Sequence, residues 1–383
     1  MVMMPAVYLD YNATTPVRAE ALDATNRVLR DGYGNPSSTH FAGRRARAFL
    51  DEARESMAAT LGARPSELIF TSGGTESNNL AIKGVAAKHG HGHIVTSAVE
   101  HPAVLETCRA LSADGFEITC LPVDTNGRVN PEAVREAIRP DTVLVTVMAV
   151  NNETGVIQPV EEIGRIARAR GVCFHSDAVQ AYGRLPIDLR RDTVDMLSIS
   201  GHKFCGPKGA GVLFVRRGLR LEPLTHGGGQ ERGHRSGTEN LPGIAAMAEA
   251  ARLACAERES EQQRLLRLRE RLEAGILETI TGAAINGAGA DRVANTANVR
   301  FDGADGEAVL IALDELGIAA SSASACAARR GAPSHVLAAM GLTRREGDDS
   351  VRFSMGRFTT EEDVEYALKV LPATIARIRG LRP

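Results

Sequence analysis

Leu68-Ile69-Phe70-Thr71-Ser72-Gly73-Gly74-Thr75-Glu76 is the stretch that decides the fold. Leu68-Ile69-Phe70 is apolar at every position, a glycine pair breaks the run, and a helical pattern over Glu76–Ala87 follows. A strand with no polar face is buried on both sides, as in a parallel sheet covered by helices. Backbone N–H groups at a helix start, opened by glycines, also form an anion site, to which Thr75 adds a hydroxyl. A plain glycine turn with Thr75 as the helix cap has the same spelling, and this motif alone leaves the two readings level. It is neither G-x-G-x-x-G nor a Walker loop, which weakens a dinucleotide or ATP reading.

The same spelling recurs along the chain. His93–Thr96, Val143–Val147, Val172–His175 and Met196–Ile199 read as further strands. Pro102–Ala113, Pro131–Ile138 and Val160–Arg170 read as helices between them, with prolines in the first turn. Strand–helix alternation predicts an α/β domain with a mostly parallel sheet. From about Leu241 the texture changes to a long charged helical pattern through Arg252–Arg271. It is followed by a strand at Asn298–Phe301, a helix at Gly306–Leu316, a strand at Val351–Phe353 and a last helix at Thr360–Ile378, a smaller α+β unit.

Composition bounds the function. A chain of 383 residues predicts two domains. A net charge of −2 without basic or acidic blocks gives a nucleic-acid or membrane-surface role no electrostatic support. No run approaches the ~18 apolar residues of a membrane span, and Met1–Asp10 lacks the spelling of a signal peptide. Six scattered cysteines with no C-x-x-C pair predict a reducing, cytoplasmic compartment.

Three further motifs carry chemistry. Lys203, in Ser198-Ile199-Ser200-Gly201-His202-Lys203-Phe204-Cys205-Gly206, lies between a strand and a glycine-rich turn. Held away from water, such a lysine has a lowered pKa and forms Schiff bases, whereas an isolated loop lysine is ordinarily a solvated cation. Asp177, in His175-Ser176-Asp177-Ala178-Val179-Gln180, falls at the carboxyl edge of a strand, where α/β sheets place ligands. A carboxylate there suits a protonated pyridine nitrogen, as in pyridoxal-phosphate enzymes; the plain alternative is an N-cap. Cys326 lies among small residues beside Arg329 and Arg330, which favour a thiolate, but a small buried hydrophobe fits the spacing as well. His89-Gly90-His91-Gly92-His93 resembles a metal tract without a carboxylate or thiolate partner, so no resident metal is expected. Gly227-Gly228-Gly229-Gln230 gains interest from Arg235-Ser236-Gly237-Thr238, where Thr238 is a phosphate donor candidate.

Taken in order, these motifs resemble the cysteine desulfurases of the NifS/IscS type, fold-type I pyridoxal-phosphate enzymes. The resemblance runs from Tyr8 to about Leu371. It also rests on Tyr8-Leu9-Asp10-Tyr11-Asn12-Ala13-Thr14-Thr15, Gly34-Asn35-Pro36-Ser37-Ser38, Glu100-His101, Val150-Asn151-Asn152-Glu153-Thr154-Gly155, Ser324-Ala325-Cys326 and Arg352-Phe353-Ser354. It implies a large pyridoxal-phosphate domain over 16–255, its sheet sandwiched by helices. A small domain formed by 1–15 and 256–383 carries the catalytic-cysteine loop. It implies that Lys203 binds the cofactor covalently and that His101 stacks on its ring and assists proton transfer. Asp177 pairs with the ring nitrogen and Gln180 reaches the ring hydroxyl. Gly74, Thr75, Ser200 and His202 hold the phosphate, with Thr238 contributed by the second subunit of a homodimer. Asn152 contacts cofactor and substrate, Arg352 binds the carboxylate of L-cysteine, and Asn12 lies near the substrate. Cys326 receives the sulfur as a persulfide, hands it to an iron–sulfur scaffold or sulfur carrier, and could touch a cluster transiently. The distance from Cys326 to Pro333-Ser334-His335-Val336-Leu337 matches the long-loop class.

Two departures stand out. Ala323 and Ala327 replace the glycine and threonine usual on either side of this cysteine, an expected stiffening of the loop. The chain ends at Pro383, whereas members that dock a scaffold often carry a longer tail, so docking by that route is not expected. The rival activities on this fold are a selenocysteine lyase, which does not need Cys326, and an aminotransferase.

Overall fold

The computed structural model of the chain describes residues 6–322 and 334–381. Its larger part is built on a seven-stranded sheet running, in spatial order, Leu68–Thr71, Gly211–Val215, Met196–Ser200, Cys173–Asp177, Thr142–Thr146, His93–Ser97, Glu117–Leu121. Gly211–Val215 alone is antiparallel to its neighbours. The strands read as apolar runs are buried at every residue in Leu68–Thr71, His93–Ser97 and Met196–Ser200, because helices cover both faces. Glu117–Leu121 is the edge strand opposite Leu68–Thr71, and most of it is partly or fully exposed. Its alternating polar residues hid it from a search for apolar runs. Gly211–Val215 begins where the chain crosses the phosphate-type turn: a Cβ on Gly211 would stand 2.5 Å from the Gly73 Cα, so only glycine allows this approach.

The smaller part holds a four-stranded antiparallel sheet in the order Ser321–Ser322, Ser350–Ser354, Thr296–Phe301, Ala283–Ile285. Beside it, Val7–Tyr8 pairs in parallel with Ile318–Ala319, which returns the N-terminal segment to this sheet region. The bridging helix is 39 residues long, Leu241–Thr279, and so spans about 58 Å. Its first half buries Ala246, Met247, Ala250 and Ala251 in the large core. Its second half buries Leu265, Leu268, Leu272 and Ile276 in the small one. The charged pattern Arg252–Arg271 marks only the middle, because the alanine-rich start has little polar face to show a helical period. The helices Ala19–Asp31 and Phe41–Leu61, absent from the sequence reading, pack on this long helix. Among the described residues no helix is long and apolar enough to cross a membrane.

Candidate active site

The carboxyl ends of the parallel strands open into a cavity of about 380 Å³, the position at which open α/β sheets bind ligands. Asn12, Gly74, Thr75, His101, Asn152, Asp177, Gln180, Ser200, His202, Lys203 and Arg352 all line it. Thr238 does not line this cavity and is exposed on the surface of its own chain. Cys326 lies outside the described residues.

Lys203 ends a one-turn 3-10 helix, Gly201–Lys203, immediately after the strand Met196–Ser200. Its Nζ donates to the carbonyls of Asn12 at 2.6 Å and Ala13 at 2.7 Å. Burial, reinforced by the guanidinium groups of Arg352 and Arg184, lowers its pKa to about 7, against the pull of Asp10 and Asp177. The neutral, nucleophilic amine therefore predominates above pH 7 rather than above the usual lysine range. Attachment of pyridoxal phosphate to the apoprotein, followed by visible absorbance, is expected to speed up through pH 7 and level off by about pH 8–9. A rate still climbing at pH 10 would mark an ordinary lysine.

The anion cradle forms at the start of the helix Gly74–His89, two residues before the Glu76 start expected from sequence. Gly73, not Thr75, occupies the cap position, with φ 154° and no side-chain cap, so the first-turn N–H groups keep no intrahelical acceptor. A Cβ on Gly74 would meet Val179 Cγ2 at 2.7 Å. Glu76 Oε2 accepts from the Ser72 N–H at 2.8 Å and fixes the turn. His202 lines the same side, its Nδ1 3.1 Å from Thr14 Oγ1. Burial, aided by Lys203 and Lys208, lowers its pKa to about 4, so the imidazole is neutral at physiological pH.

Asp177, the last residue of its strand, faces the cavity from below. Its Oδ2 accepts from Asn78 Nδ2 at 2.6 Å and its Oδ1 from the Val179 N–H at 2.9 Å. His101 caps the helix Pro102–Ala113 through Nδ1, which accepts from the Ala103 N–H at 3.1 Å. That bond assigns the proton of the neutral ring to Nε2. Burial lowers the His101 pKa despite the nearby Asp177.

Arg352 donates from Nη2 to Asp10 Oδ1 and from Nη1 to the Asn152 carbonyl, at 2.8 and 2.9 Å. Its side chain is 3% exposed, and its buried Nε has no partner among the described residues. Asn12 is fully engaged within the protein. Its Nδ2 donates to the Asn152 carbonyl and Thr296 Oγ1, and its Oδ1 accepts from Asn295 and Arg184. Asn12 therefore sets the geometry of the site by anchoring Asn152, Lys203 and Gln180, whose Nε2 donates to the Asn12 carbonyl.

Sequence reasoning missed Asn78, Glu153, Arg184 and His335. Asn78 stands one turn beyond Gly74 on the same helix, a spacing that was available as a signal. Glu153 is buried against Ser334 Oγ at 2.5 Å, and burial raises its pKa to about 7. His335 Nε2 donates to the Glu100 carbonyl at 2.9 Å and lines the cavity. Both lie in motifs quoted above, over 150–155 and 333–337, but their meeting at the cavity depends on distant loops and is seen only in the fold. His93, of the histidine-rich tract, is buried with both ring nitrogens against Thr142 and Thr119 hydroxyls, at 2.8 and 2.7 Å.

A sequence profile of the class-V aminotransferases matches residues 7–367. The chain belongs to the class-V aminotransferase family. Within this family it is 48% identical over 380 residues to cysteine desulfurase IscS of Methanosarcina thermophila, covering 99% of this chain and 94% of that one. Among solved structures, a NifS-like protein superposes with a TM-score of 0.92 at 40% identity, covering 97% of this chain and all of the other. SspA, solved in complex with cysteine, superposes with a TM-score of 0.83 at 39% identity over 92% of this chain and all of the other. As a class-V aminotransferase of the cysteine desulfurase kind, the chain is a pyridoxal-phosphate enzyme. Its residues fit that cofactor: a buried lysine with a low pKa, an uncapped glycine-opened helix start and a buried carboxylate share one cavity.

Proposed function

We propose that this enzyme removes sulfur from L-cysteine, leaving L-alanine, and passes the sulfur through Cys326 to an acceptor protein, an iron–sulfur scaffold or sulfur carrier. The observation that carries the reading is the single cavity in which Lys203, His101, Asp177 and Arg352 converge. The reading further makes the protein a cytoplasmic homodimer, in which the exposed Thr238 of each subunit completes the phosphate site of the other. It divides the chain into a large domain over 16–255 and a small one of 1–15 and 256–383.

Gly74, Thr75, Ser200 and His202 would hold the cofactor phosphate, Asp177 the ring nitrogen, Gln180 the ring hydroxyl, and His101 one ring face. When bound, pyridoxal phosphate supplies an electron sink that acidifies the substrate Cα and weakens its carbon–sulfur bond. Arg352 binds the substrate carboxylate and Asn152 orients it. The Lys203 amine, already stripped of much of its hydration, takes the Cα proton at Nζ. His101, neutral with its proton on Nε2, would assist proton transfer at that atom. The Cys326 thiolate then attacks the substrate sulfur. A sulfur–sulfur bond forms, the carbon–sulfur bond breaks, and its electron pair stays with the carbon that becomes the alanine methyl. The other cysteines support this choice: burial raises the thiol pKa of Cys108, Cys173, Cys205 and Cys255, to about 12 for Cys108, and Cys120, exposed on the edge strand Glu117–Leu121, does not line the cavity.

Arg352→Ala tests the substrate contact. Loss of a charge-assisted, bidentate contact costs about 1.5–3 kcal/mol, which weakens apparent cysteine binding roughly 10- to 150-fold. Steady-state kinetics and spectral titration with cysteine both read this effect, and an unchanged affinity removes Arg352 from the role.

A further inference from the structure

Two adjacent non-glycine residues, Glu231 (φ 47°) and Arg232 (φ 58°), occupy the left-handed region in the loop before the long helix. Each such residue carries a steric cost between its Cβ and the following carbonyl oxygen and persists only where its surroundings over-determine it, commonly at functional sites. Here the restraint converges on one side chain. Glu231 is 5% exposed. Its Oε2 accepts from Arg54 Nη1 at 2.9 Å and from the Phe70 N–H at 3.0 Å, and its Oε1 accepts from Arg54 Nη2. The Arg54 guanidinium lies over the Phe70 ring, 4.5 Å from its centroid, and also donates to the Leu68 carbonyl. The turn is thereby bolted to the strand that runs into the Gly73–Gly74 cradle.

The rest of the loop is tied to this anchor. Gln230 Oε1 accepts from the Gly237 N–H at 3.0 Å, directly before Thr238. Arg235 Nε donates to Glu76 Oε1 at 2.9 Å. Thr238 itself remains exposed. Replacing a buried ion pair by apolar residues is often neutral for stability, so the pair is better explained by the conformation it enforces.

We propose that Glu231 is a positioning residue: locked by Arg54, it enforces the left-handed turn that presents Thr238 to the phosphate site of a second copy of this chain. The inference rests on the reading of Thr238 as a ligand across the dimer. It makes cofactor retention in one subunit depend on an ion pair buried in the other.

Hybrid dimers with distinct affinity tags test it. One chain carries Lys203→Ala, so each dimer keeps one site able to attach pyridoxal phosphate. Glu231→Gln is placed either on the Lys203→Ala chain or on the chain with intact Lys203, so both hybrids carry the same single lesion. Cofactor loss on dilution, read by visible absorbance, is expected to be about tenfold faster only when the lesion is on the Lys203→Ala chain. Arg54→Lys, which keeps the charge but loses the two-pronged contact that holds Glu231, is expected to give the same pattern if Glu231→Gln fails to fold. Equal retention in both hybrids, or faster loss only when the lesion shares the chain with intact Lys203, overturns the proposal. Thr238→Val in the same two hybrids separates the premise. If Thr238→Val accelerates loss across the dimer and Glu231→Gln does not, the Thr238 reading stands and the role of Glu231 falls. If neither does, the Thr238 reading falls with it.

Discussion

Lys203→Ala is expected to yield a folded protein that does not attach pyridoxal phosphate and releases no measurable alanine from cysteine. The expectation follows from two separate duties placed on one atom. Lys203 Nζ is the amine with a pKa lowered to about 7 beside the anion cradle, and it is also the base proposed for the substrate Cα. General-base removal alone costs about 10²- to 10⁴-fold, and loss of covalent attachment adds to that. The fold should survive, because the ammonium form is disfavoured at this site and the Asn12 and Ala13 carbonyls that accept from Nζ border a cavity open to water. Visible absorbance, circular dichroism and alanine release decide the matter. Wild-type alanine release by Lys203→Ala removes the basis of the reading.

Cys326→Ala is expected to separate binding from sulfur transfer. The variant should attach the cofactor and bind cysteine as the wild type does, because those steps use Lys203, the glycine cradle and Arg352, all in the described cavity. Alanine release from cysteine should fall by about 10²-fold or more, because the attacking thiolate is gone. Selenocysteine turnover should persist, since selenium leaves more readily than sulfur and departs without thiolate attack. Full desulfuration of cysteine by Cys326→Ala favours the selenocysteine-lyase alternative.

What the chain reveals in advance depends on how local the cause is. Strands buried on both faces leave continuous apolar runs, so five of the seven central strands were readable. Glu117–Leu121 was not, because this exposed edge keeps polar residues toward solvent; Gly211–Val215 spells the same kind of apolar run, Val212-Leu213-Phe214-Val215, and was overlooked although its signal was present. The helices Ala19–Asp31 and Phe41–Leu61 were hidden by alanine- and arginine-rich faces whose apolar partner is the long helix. Site residues at strand ends, such as Asp177 and Lys203, carry their signal in adjacent residues. Arg184 acts through Asn12, a partner 172 residues away, and only the folded chain shows it; Asn78, which donates to Asp177, was legible in its one-turn spacing from Gly74. Asn12 illustrates the converse: the motif marks it as part of the site, and the structure spends its amide on holding Asn152, Arg184 and Asn295.

Sulfur transfer from L-cysteine to a cysteine of the enzyme is read directly by intact-mass analysis of the wild-type protein. The holoenzyme is incubated with L-cysteine without reductant, then digested and mapped. The predicted result is one added sulfur atom per chain, located on Cys326 and removed by a thiol reductant, with alanine formed in equal amount. Alanine formation with no added sulfur, or sulfur on Cys108, Cys120, Cys173, Cys205 or Cys255 in place of Cys326, would contradict it.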